Sequence, residues 1–101
     1  MSGDYYLVSP GPRPPVDHVP KFLWGEYCDY DSDGNSRRPD STDWTELDIA
    51  LRPFRREWVG IGPIKAPKLV LRIRANSPEL ARRCASFLQN IAGGELKGTW
   101  P

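Results

Sequence analysis

Residues 68–95, KLVLRIRANSPELARRCASFLQNIAGGE, decide the fold of this 101-residue chain. Leu69, Leu71 and Ile73 alternate with Lys68, Val70, Arg72 and Arg74, the period of two that marks a strand with one buried and one wet face. Ser77, Pro78 and Glu79 then stand in the order of a helix start. The hydroxyl can cap an orphan N–H, the proline loses nothing at the first helical position, and the carboxylate suits the positive end of the dipole. Leu80, Cys84, Phe87, Leu88 and Ile91 fall on one stripe, Arg82, Arg83, Ser86, Gln89 and Asn90 lie opposite, and Gly93–Gly94 supply the stop. A helix with one apolar stripe has to lie on something, and the preceding strand offers the surface. The expected class is α+β: an antiparallel sheet of three to five strands with one C-terminal amphipathic helix packed on one face.

Working outward, the segments around this unit read as strands and connectors. Residues 4–8, DYYLV, alternate as a first strand, with Tyr5 and Leu7 opposite Tyr6 and Val8. Residues 9–20 hold five prolines and read as an extended connector. Residues 21–28, KFLWGEYC, are aromatic-rich and read as a short strand or a short helix interrupted at Gly25, the strand being preferred. Residues 29–43 read as an irregular acidic loop. WTELDIALR, residues 44–52, alternates with Thr45, Leu47, Ile49 and Leu51 on one face, and residues 57–64 read as its hairpin partner, with a bulge or twist at Gly60 and Gly62. Residues 95–100 return as a short edge strand or form a tail anchored by Trp100.

At this length the chain is a single domain, residues 1–101. No apolar run approaches the roughly 18 residues of a membrane span, and no basic-then-apolar leader is present, so the expected location is cytoplasmic. Cys28 and Cys84 are too few for a disulfide framework and suit reduced thiols. Charge is split along the chain. Residues 1–50 hold ten acids against four bases, and residues 51–101 hold three acids against ten bases. Such asymmetry either compensates internally or builds opposed surface patches.

The sharpest local motif is Asp29-Tyr30-Asp31-Ser32-Asp33-Gly34. Alternating carboxylates before a glycine match the opening of an EF-hand-type calcium loop, which makes Asp29, Asp31 and Asp33 candidate calcium ligands. Ser36 stands where an apolar residue is expected, Asp40 where a bidentate glutamate is expected, and Pro39 opposes an exit helix. The plainer reading is a solvated turn. A third reading is an acidic recognition surface, with Trp24, Tyr27, Asp29, Tyr30, Asp31, Asp33 and Trp44 as contact residues for a protein partner. Arg72 and Arg74, projecting together from one strand face, give a nucleic-acid-binding alternative, although no module signature accompanies them. No catalytic residue is assigned: His18 is the sole histidine, Cys28 has nothing to orient it, and no zinc-ligand spacing is present. No cofactor other than calcium is expected.

The hairpin WTELDIALR, the strand LVLRIRA, the helix SPELARRCASFL and the closing GGEL together resemble the small immunity proteins that bacteria carry against contact-delivered or polymorphic toxins. The resemblance covers residues 44–96. It implies a cytosolic, non-enzymatic inhibitor of bacterial or phage origin that blocks a toxin or other target by surface binding. No residue role is transferred by it.

Overall fold

A computed structural model of the chain describes residues 4–36, 38–53, 56–64 and 68–99. The elements are β1 (Tyr5–Val8), α1 (His18–Trp24), β2 (Tyr30–Gly34), β3 (Leu47–Leu51), β4 (Trp58–Pro63), β5 (Val70–Ala75), α2 (Pro78–Ala92) and β6 (Glu95–Lys97). All six strands form one antiparallel sheet in the order β2-β3-β4-β5-β1-β6. The α+β class and the packed C-terminal helix are as expected, but the sheet has six strands in place of the expected three to five, and two helices are present. The anchoring of Trp100 lies outside the described residues. Among the described residues no helix is long and apolar enough to cross a membrane.

The core lies on one face of the sheet. Leu7, Leu47, Ile49, Val59, Ile61, Leu71 and Ile73 point there and meet Leu80, Cys84, Ala85 and Leu88 of α2 and Val19 and Leu23 of α1. In α2 the Ser77 hydroxyl accepts from the Leu80 N–H at 3.1 Å, and Gly93, at φ 75°, donates its N–H to the Gln89 carbonyl at 2.8 Å. The buried stripe is rotated from the expected one: Ala81 and Ala85 are buried, while Phe87 is half-buried and Ile91 is 54% exposed. Helix α1 packs beside α2 on the Phe87 side, stacking Phe22 on Phe87 with ring centroids 4.2 Å apart.

Helix α1 takes over the end of the expected connector and makes residues 21–24 helix, the alternative to the preferred strand. Pro20 is tolerated because it sits in the first turn, where backbone N–H groups have no intrahelical partner. Val19 and Leu23, four apart, bury one side. Gly25, at φ 102°, ends the helix by donating to the Lys21 carbonyl at 2.9 Å.

Two further expectations on the strands are corrected. Alternation assigns Val70 to the wet face, yet it is 2% exposed, packed with Tyr6 and Val8 in a small second cluster on the face away from the helices. Gly60 and Gly62 mark no bulge: Gly60 pairs with Asp48 and Arg74, Gly62 with Arg72, and the register runs unbroken through β4.

Candidate functional site

The DYDSDG motif is the point where the structure departs furthest from what the sequence predicts. It is no irregular loop: Tyr30–Gly34 forms the edge strand β2, hydrogen-bonded to β3 with Tyr30 opposite Leu51 and Gly34 opposite Leu47. Alternation does the sorting. Tyr30 packs against the core, and burial together with the nearby Asp17 carboxylate raises its phenol above the usual range. Asp31 and Asp33 line the other side, and Asp29 immediately precedes the strand. Successive same-face residues of a strand are ~6.6 Å apart, whereas calcium oxygens sit at ~2.3–2.6 Å from the ion, so Asp31 and Asp33 are not gathered as they would be in a calcium loop. Gly34 is not in the left-handed region that such a loop requires. Its lack of a side chain serves another purpose: a Cβ there would run into the Glu46 carbonyl oxygen. Among the described residues no group of three or more histidine, cysteine or acidic side chains is arranged to hold a metal ion.

Asp31 and Asp33 share the helix-free sheet face with the side chains of β3 and β4. Asp33 stands directly opposite Asp48, and like charges in that position repel. Arg52 partly neutralises the row, its Nη1 lying 3.2 Å from Asp31 and its Nε 3.7 Å from Asp29. All three side chains are about half exposed or more, so these pairs contribute little. Two shallow depressions lie on this face. One, about 320 Å³, is lined by Asp31, Asp33, Asp48, Ala50 and Trp58. The other, about 330 Å³, is lined by Asp33, Glu46, Asp48, Gly62 and Arg74. Glu46, Asp48 and Trp58 join this surface although the sequence does not single them out as contact residues. For Glu46 and Asp48 the signal was available, because the alternation of WTELDIALR sets them on the face opposite Leu47 and Ile49.

The aromatic contact residues separate. Tyr27 is 98% exposed beside the acidic edge. Trp44 is 1% exposed and cannot meet a partner. Its indole N–H donates to the Pro14 carbonyl at 2.8 Å, while Arg13 Nε donates to the Trp44 carbonyl at 2.8 Å, which fastens the proline-rich segment to the core. Trp24 is half-buried against the core, with its N–H donating to Glu57 Oε1 at 3.4 Å. Trp44 is therefore corrected from contact surface to scaffold, whereas Trp24 keeps part of its surface exposed.

The basic face is also sorted by its partners. Arg72 donates from Nε and Nη2 to Asp4 Oδ2 at 2.9 and 2.6 Å, and this hydrogen bond raises the guanidinium further. Arg72 and Arg74 therefore do not form the open cationic pair that the nucleic-acid alternative needs. His18 opens α1 and is exposed. The Cys28 thiol donates to the Pro20 carbonyl at 3.6 Å, and burial pushes it up, the opposite of nucleophile activation. Cys84 is wholly enclosed and is pushed up to about 12.

Comparison of the chain with protein-family models, with curated proteins and with solved structures finds no match.

Proposed function

We propose that the chain is a non-enzymatic protein-binding module that blocks a basic partner with the acidic edge strand β2. The observation that carries this reading is the pair Asp31 and Asp33 on a strand at the free edge of the sheet, with Asp29 and the exposed Tyr27 just ahead of it. A free edge offers unpaired backbone N–H and C=O groups, and charges on it discourage indiscriminate strand pairing while admitting a partner of opposite charge. Carboxylates of one sign also steer a basic partner into encounter. The resemblance of residues 44–96 to immunity proteins supports the same reading, with a toxin domain or another target protein as the partner and the cytoplasm as the place of action.

The test is capture from lysate of the source organism with wild type and with the Asp29/Asp31/Asp33→Asn triple variant, each with calcium and with chelator. One stoichiometric protein captured by wild type, lost with the variant and indifferent to chelator, is the expected result. Loss with chelator in wild type would replace this reading with a calcium-dependent module, and capture undiminished by the triple variant would remove β2 as the contact.

A further inference from the structure

We propose that the helix-free face of the sheet docks a second copy of the same chain, related by a two-fold axis that runs along β4. The reason lies in the register. Gly60 of β4 pairs with Asp48 on one side and Arg74 on the other. Gly62 pairs with Arg72, and Glu46, which precedes the Leu47 partner of Ile61, continues the acidic side. Strand β4 therefore divides carboxylates on β3 from guanidiniums on β5 at equal offsets of ~4.8 Å. A half-turn about an axis parallel to β4, midway between two apposed faces, exchanges the sides. It brings the carboxylates of each copy over the arginines of the other, twice, as an isologous interface requires.

The side chains along the axis suit this arrangement. Gly60 and Gly62 place nothing between the copies, so the sheets can approach closely and pack nearly aligned, as apposed sheets do. Asp48 Oδ1 and Arg74 Nη2 lean over Gly60 from opposite sides, 2.9 and 3.9 Å from where its Cβ would be. They do not close to 4 Å on one another, and among the described residues neither has an ion-pair partner. Trp58 is 36% exposed at the start of β4, with Cζ3 3.9 Å from the same point. Lying on the axis, it meets its own mate and supplies the aromatic centre typical of interfaces. Pairing two copies through their β2 edges would instead set one aspartate row against another.

The experiment is sedimentation equilibrium on the full chain as wild type, as Asp48→Arg, as Arg74→Asp, and as an equimolar mixture of the two variants, with amide spectra recorded for each. Both positions are exposed, so each variant is expected to keep the fold. Wild type should dimerise, more weakly as salt is raised. Each single reversal should weaken association on the order of 100-fold, because Asp48→Arg then sets base against base at both crossings and Arg74→Asp sets acid against acid. The mixture should recover the dimer, since each variant then faces its complement. A wild type that stays monomeric at high micromolar loading, a single reversal that still dimerises, or a mixture that does not recover would each overturn the proposal. Capture of a partner through β2 by a wild type that stays monomeric would overturn this proposal alone, whereas a dimer that captures nothing would leave it standing and remove the β2 reading.

Discussion

Replacing Trp44 with phenylalanine should unfold this protein more easily while leaving its binding surface untouched. The indole is 1% exposed and its N–H donates to the Pro14 carbonyl at 2.8 Å, and Pro14 is itself buried. Phenylalanine keeps most of the apolar body but removes the donor. The stranded carbonyl costs ~1–3 kcal/mol. The space left by the missing ring adds ~1 kcal/mol, since a close-packed site collapses only partly. The expected loss is therefore ~2–4 kcal/mol, a large share of the total for a domain this small. With an m-value of ~1–1.5 kcal/mol/M, the urea midpoint should fall by ~2 M. Trp24→Phe is the matched control. Its bond to Glu57 is longer, at 3.4 Å, and its indole is only half-buried, so it should cost less than ~1 kcal/mol. The assay is urea unfolding followed by circular dichroism. Equal losses for the two variants, or less than ~0.5 kcal/mol for Trp44→Phe, would refute the assignment of Trp44 as the staple of the proline-rich segment.

Asp33→Asn removes one of two like charges that face each other across β2 and β3; thermal melting at low salt should rise by ~2 °C, and the gain should shrink as salt is added. Gly34→Ala drives a Cβ into the Glu46 carbonyl, so hydrogen exchange at β2 amides should accelerate selectively while α2 keeps its protection. Stability should decline in alkali. The Cys84 thiol has an unfolded value of 9.0 and is held at about 12 in the fold, so the folded chain retains a proton that the unfolded chain gives up. The contribution is intact below pH 9 and is lost as pH rises towards 12, at ~1.4 kcal/mol per pH unit. Denaturation curves for wild type and Cys84→Ala should differ in this slope, and identical slopes would contradict it.

What is legible in the sequence follows the range of the forces involved. Strand β5 and helix α2 are readable because alternation, the Ser77 cap and the Gly93 stop are local signals that the chain states within a few residues. Helix α1 is not, because prolines dominate its neighbourhood. Nothing local says that Pro20 falls in a first turn, where its missing N–H is harmless; only the burial of Val19 and Leu23 against α2 and the sheet selects the helix. The same limit explains Trp44. An aromatic beside acidic residues reads as recognition surface until a carbonyl thirty residues away, that of Pro14, is brought to its N–H.

The acidic motif is the most instructive case. Asp, Ser and Gly are poor strand formers, so DYDSDG reads as a turn on propensity alone. In the fold an available edge overrides propensity: β3 offers hydrogen bonds, Tyr30 has a place against the core, and Gly34 is the residue that fits beneath the Glu46 carbonyl. Becoming a strand then changes what the carboxylates can do. A loop would gather them around one cation, whereas the strand holds Asp31 and Asp33 apart on one face, with Asp29 just ahead of it. Those residue identities are visible in the sequence. Their geometry, on which the proposed contact with a basic partner rests, comes from the pairing with β3.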